Sequence, residues 1–122
     1  MDIYREAILD HFKNPRNFGH LEHPDSSIGE DNVTCGDRIV MEITVNKKKE
    51  IEDIRFSGEG CAISQASASM LTEKVKGKKI ADILRMKGAD SIKILGTTLT
   101  PSRTKCATLS LEVLHKAILA LK

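Results

Sequence analysis

Arg38-Ile39-Val40-Met41-Glu42-Ile43-Thr44-Val45, then Lys47-Lys48-Lys49, then Ile51-Glu52-Asp53-Ile54-Arg55-Phe56, is the stretch that decides the fold. Its first part sets Ile39, Met41, Ile43 and Val45 against Arg38, Glu42 and Thr44, with Val40 blurring the polar side. Side chains of a strand point alternately to two faces, so this pattern reads as a half-buried strand. Ile51, Ile54 and Phe56 mark its antiparallel partner, and the lysines between them read as a solvated hairpin turn. Ser57-Gly58-Glu59-Gly60 is expected to break the second strand just before Cys61.

Downstream the period changes. Cys61 to Val75 reads as a helix with an unusual run of small residues (Ala62, Ser64, Ala66, Ser67, Ala68, Ser69), closed by Gly77 in the usual role of a C-terminal glycine. A short helix through Ile80, Ile83 and Leu84 is expected to stop at Gly88, with residues 89–104 irregular. Pro101 opens a last helix whose stripe is Ala107, Leu111, Leu114, Ile118 and Leu121. Upstream, Ile3, Ala7, Ile8, His11 and Phe12 fall at helical spacing from Asp2 to about Lys13, and Asn14-Pro15 ends that helix. Residues 16–34, rich in Gly, His, Pro, Asp and Ser, read as a long loop with a short strand near Ser27–Asn32. The expected class is α+β: a small antiparallel sheet of about three strands, covered on one face by helices.

Length and composition narrow the function. The 122 residues, 40% of them hydrophobic, suffice for one core, and no repeat or linker divides them, so a single domain over 1–122 is expected. No run of about 18 apolar residues exists, and no membrane span is expected. Met1-Asp2-Ile3-Tyr4-Arg5-Glu6 lacks the apolar stretch of a secretory signal, which makes the cytoplasm the expected address. A net charge of +2, with three Phe, one Tyr and no Trp, offers no basic stripe interleaved with aromatics, so nucleic-acid binding is not expected.

Three cysteines cannot form a closed disulfide framework. They are either small buried residues or ligands and nucleophiles, and each sits at a junction between elements. Cys35 precedes Gly36 and Asp37, so a carboxylate lies two residues from the thiol. Cys61 stands where a helix begins, and the unpaired amides and positive end of that helix stabilise a thiolate. Cys106 is flanked by Arg103 and Lys105, whose charges favour ionised sulfur. Three cysteines and one further donor complete a tetrahedral shell for Zn²⁺ or for a [2Fe–2S] cluster with one non-cysteine ligand. Asp37 is the favoured fourth donor. His11, His20, His23 and His115 are the alternatives, and Lys105 would have to lose its proton first.

At these same residues the chain resembles the IscU/SufU/NifU-N family of iron–sulfur cluster assembly proteins. The resemblance runs through Tyr4–Asn17, Cys35-Gly36-Asp37-Arg38-Ile39, Phe56-Ser57-Gly58-Glu59-Gly60-Cys61-Ala62-Ile63-Ser64 and Lys105-Cys106-Ala107-Thr108-Leu109, in the family's order. The wording Gly58–Cys61 and Arg103–Leu109 is closest to the SufU type. Lys105 stands where IscU-like chains usually carry histidine, and a Leu-Pro-Pro-Val-Lys segment is absent. The longer insertion typical of SufU between the second and third cysteines is also absent, which leaves the subtype open.

The resemblance implies a site of Cys35, Asp37, Cys61 and Cys106 holding Zn²⁺ or a labile [2Fe–2S] cluster. It implies Cys35 as acceptor of persulfide sulfur from a cysteine desulfurase, and apo iron–sulfur proteins or carriers as recipients. Arg103 and Lys105 are read as supporting cations. Three functions follow as expectations: a cluster scaffold without turnover, a zinc-dependent sulfurtransferase, or a structural zinc-binding adaptor. Cys-x-x-Cys knuckles, which the last would favour, are missing.

Overall fold

The structure is a computed structural model that describes residues 3–32, 36–96, 99 and 101–121. Its elements are α1 (Ile3–Lys13), β1 (Ser26–Asn32), β2 (Asp37–Val45), β3 (Ile51–Glu59), α2 (Ala62–Val75), α3 (Ile80–Leu84), α4 (Gly88–Leu95) and α5 (Pro101–Leu119). The strands form one antiparallel sheet in the order β1-β2-β3. The α+β class with a three-stranded sheet is therefore what the alternation predicted.

The sheet's apolar face supplies Ile39, Met41, Ile43, Ile51, Ile54 and Phe56, all essentially buried. Ala68, Leu71 and Val75 of α2 and Leu109, Val113, Leu114 and Ala117 of α5 close over them. The β2–β3 turn is shaped by Asn46, whose Oδ1 accepts the backbone N–H groups of Lys48 (2.9 Å) and Glu50 (3.1 Å). The opposite face is less open than the alternation implies. Glu42 is buried because the 19–25 segment folds over it, with Leu21 N–H donating to Oε1 (2.7 Å) and His20 Nδ1 paired to Oε2 (2.9 Å).

Three expectations are corrected. Strand β3 does not break at Ser57 but runs to Glu59, because Gly58 allows the Arg38 carbonyl of β2 to approach where any Cβ would collide. Residues 16–25 are not wholly loop: Asn17–Gly19 line the outer edge of β3, with Phe56 N–H donating to Asn17 O and Gly19 N–H to Phe56 O (both 2.9 Å). Residues 89–104 are not irregular throughout, since α4 covers Gly88–Leu95 and α5 starts at Pro101. Gly88 opens α4 instead of stopping its predecessor. Asp90 accepts the Lys87 N–H (2.8 Å) to cap the first turn, and Gly96 ends the helix in the left-handed region (φ 82°).

The small residues of α2 work as close packing. Ser67 Oγ donates to Ala107 O (2.7 Å), tying α2 to α5. Ser69 Oγ accepts Arg16 N–H (2.8 Å) and meets His11 Nδ1 (2.7 Å), tying α2 to α1. Among the described residues no helix is long and apolar enough to cross a membrane.

Candidate metal centre

Asp37 is the first residue of β2, reached through Gly36 in the left-handed region (φ 72°), whose N–H donates to Asn32 O (2.8 Å). Asp37 is buried, with 1% of the residue exposed. Oδ1 accepts the backbone N–H of Cys61 (3.0 Å), which locks the start of β2 to the start of α2. Gly60 makes that approach possible: a Cβ there would overlap Asp37 Oδ1 and lie 2.7 Å from Ser64 Oγ.

Cys61 is the N-cap of α2, with extended backbone (φ −73°, ψ 167°), and its side chain makes no capping hydrogen bond to the helix's first-turn amides. Ser64 Oγ donates to Cys61 O (3.1 Å) and lies 3.9 Å from Cys61 Sγ. Cys106 arrives from the second turn of α5 and is 1% exposed. The Ser67–Ala107 bond fixes this part of α5 against α2.

These three elements bring one carboxylate oxygen of Asp37, Cys61 Sγ and Cys106 Sγ within 4.8 Å of one another. Ligands around tetrahedral zinc, with sulfur near 2.3 Å and oxygen near 2.0 Å, lie about 3.4–3.8 Å apart, so a small contraction closes this set on an ion. A second observation points the same way. Asp37 Oδ2 is buried and has no hydrogen-bond partner among the described residues. Such an oxygen bears a desolvation cost of about 1–3 kcal/mol unless something cationic or protic meets it. The donor set fits a thiophilic cation.

The structure thus brings together Asp37, Cys61 and Cys106 of the four expected ligands. Cys35 lies outside the described residues. Of the supporting cations, Arg103 is exposed in the first turn of α5, and Lys105 Nζ is held 2.8 Å from both carboxylate oxygens of Glu112. The alternative histidine donors are engaged elsewhere: His11 at Ser69, His20 at Glu42 and His115 at the Ile83 carbonyl (2.8 Å), while His23 is exposed. Sequence reasoning missed Ser64 beside Cys61 and the steric role of Gly60. Their signal is the spacing Gly60-Cys61-x-x-Ser64, which puts the hydroxyl one turn from the capping residue.

The profile of the NifU-like N-terminal domain matches residues 3–122. The chain is 42% identical to the zinc-dependent sulfurtransferase SufU of Bacillus subtilis (strain 168), over 95% of this chain and 89% of that protein. It is 45% identical to the iron–sulfur cluster assembly scaffold protein IscU of Aquifex aeolicus (strain VF5), over 94% of this chain and 73% of that one. Among solved structures, a candidate iron–sulfur cluster assembly scaffold of the SUF system from Fervidobacterium islandicum AW-1 superposes with a TM-score of 0.81 at 26% identity. That match spans 93% of this chain and 94% of the other.

Proposed function

The chain belongs to the NifU-like N-terminal domain family, and on that premise we propose that it is an iron–sulfur cluster assembly protein with a centre of Cys35, Asp37, Cys61 and Cys106. The observation that carries the reading is the convergence of two thiols and a buried, half-partnered carboxylate from three separate elements. Cys35, two residues from Asp37 in the sequence, is the fourth donor in this reading, since a thiol completes a tetrahedral shell with the other three.

The residues divide the work. Asp37, Cys61 and Cys106 hold the centre, and Gly60 and the Cys61 N–H fix the carboxylate. Bound zinc would supply charge that keeps thiols ionised and protected until a partner displaces one of them. Cys35 acts as acceptor. Its thiolate attacks the outer sulfur of a desulfurase persulfide, a new S–S bond forms, the donor's S–S bond breaks, and the donor cysteine leaves as thiolate. The partners in this reading are a cysteine desulfurase upstream and apo iron–sulfur proteins or carriers downstream, in a cytosol that keeps the thiols reduced. A cluster held in part by a carboxylate is weakly held, as its transfer requires.

A second reading, that the chain is a zinc-dependent sulfurtransferase, is supported by its likeness to the Bacillus subtilis protein. The structural-adaptor reading is the weakest, because the main core packs without any site residue. Metal analysis of protein purified without oxygen separates the first two: iron with acid-labile sulfide for the scaffold, zinc alone for the sulfurtransferase. Both require Cys35→Ala to abolish sulfur acceptance from a desulfurase. A Cys35→Ala chain that accepts sulfur as well as the unmodified one would defeat both.

A further inference from the structure

Five buried side-chain polar atoms lack a hydrogen-bond partner among the described residues, and two of them belong to residues directly opposite each other, Asn32 and Asp37. Directly paired residues of antiparallel strands project to the same face, with Cβ atoms about 4.5–5.5 Å apart. That places the Asn32 side chain on the helix-covered face of the sheet beside the carboxylate that reaches Cys61. Asn32 is 5% exposed, and its Nδ2 is without an acceptor among the described residues. The unpartnered oxygen of Asp37 does not serve it, although the two residues are neighbours.

Buried amide donors are nearly always paired, so an orphan of this kind calls for an acceptor that arrives with function. Asp37 Oδ2 lacks a cation or proton, while Asn32 Nδ2 lacks an anion or lone pair. A cation bound by thiolates meets both needs at once: the metal takes Asp37, and a negatively charged sulfur takes the amide N–H. We propose that Asn32 is a positioning residue whose side-chain N–H donates to a metal-bound sulfur of this centre. It neither ligates nor reacts. It orients the sulfur and withdraws charge from it, in the way outer hydrogen-bond donors tune metal sites. The inference rests on the metal-centre reading and deepens it.

The test uses the full chain with Zn²⁺ or Cd²⁺ alone. Asn32→Leu keeps the volume and removes the donor. Zinc affinity by chelator competition is expected to fall about 10- to 100-fold, the usual loss for an outer-shell partner. Under excess chelator, the same variant is expected to unfold at a midpoint equal to or above that of the unmodified chain, because a buried unpaired donor is gone. A simple structural role would lower both quantities together, and that outcome overturns the proposal. So does unchanged zinc affinity. An NMR measurement on the unmodified chain needs no variant to fold: the Asn32 side-chain amide proton should move downfield on cadmium loading. A resonance that stays in place overturns the proposal by itself. If the unmodified chain takes up neither ion, the metal-centre reading itself has failed, which is a different result from uptake with Asn32 silent.

Discussion

A methyl group on Gly60 would overlap Asp37 Oδ1 and press on Ser64, so the contact between β2 and α2 depends on the absence of a side chain at one residue. Gly60→Ala is expected to destabilise the fold by about 1–3 kcal/mol, the usual cost of overpacking, and to weaken zinc binding with it. Urea unfolding with and without zinc measures both, and an unaltered Cys61–Asp37 pairing in the variant would contradict the expectation. His11 offers a second prediction. Burial, and then the charge of Arg16, depress its pKa below the ordinary 6.5, against weaker opposition from Glu73 and Asp10. The unfolded chain therefore binds a proton more readily than the folded one. Stability should be flat above about pH 6.5 and fall as pH drops from there toward the folded pKa. Urea titrations across that window under chelator should show the slope in the unmodified chain and less of it in His11→Gln.

Helix α2 is where element-scale chemistry is clearest, because its serines let two other helices come close. Ser67 faces the Ala107 carbonyl next to Cys106. Ser67→Val removes that bond, adds bulk at the α2–α5 contact and touches no ligand. The expected result is a fold that persists, destabilised by about 1–3 kcal/mol, with weaker zinc binding because Cys61 and Cys106 are pushed apart. Chelator competition checks this, and zinc affinity equal to that of the unmodified chain would show that α2–α5 spacing does not control the site. Elements with a clear period were legible in the residues: β2, α2 and α5 lie where alternation and stripes put them. Helix α4 was not, because it is short, opens on glycine and owes its first turn to one side-chain cap from Asp90. The 17–19 edge was equally hidden, since pairing to Phe56 is a property of the fold and leaves no local pattern.

At the scale of the whole molecule, the proposed ligands Asp37, Cys61 and Cys106 come from β2, the cap of α2 and α5, so metal binding is expected to be linked to folding. Zinc at a hundred times its dissociation constant should stabilise the chain by about 2.7 kcal/mol, read as a higher melting temperature that chelator reverses. A melting temperature indifferent to zinc would mean that the three elements are not joined through an ion. The core beneath is independent of that linkage. Leu114→Ala should cost about 2–5 kcal/mol by urea unfolding in zinc or chelator alike. The sequence by itself determined the class of fold, and it pointed to thiol and carboxylate donors, with Asp37 preferred to the histidines. Each of these follows from periodicity, residue type or spacing along a few residues. Tertiary structure alone decided that sulfurs 45 positions apart in the chain meet Asp37 within 4.8 Å. It also decided that Lys105 turns to Glu112 and that Asn32 is buried opposite Asp37 with its amide Nδ2 unpartnered among the described residues. Such proximity depends on strand register and helix packing, which sum weak preferences over the whole chain and cannot be read at any one position.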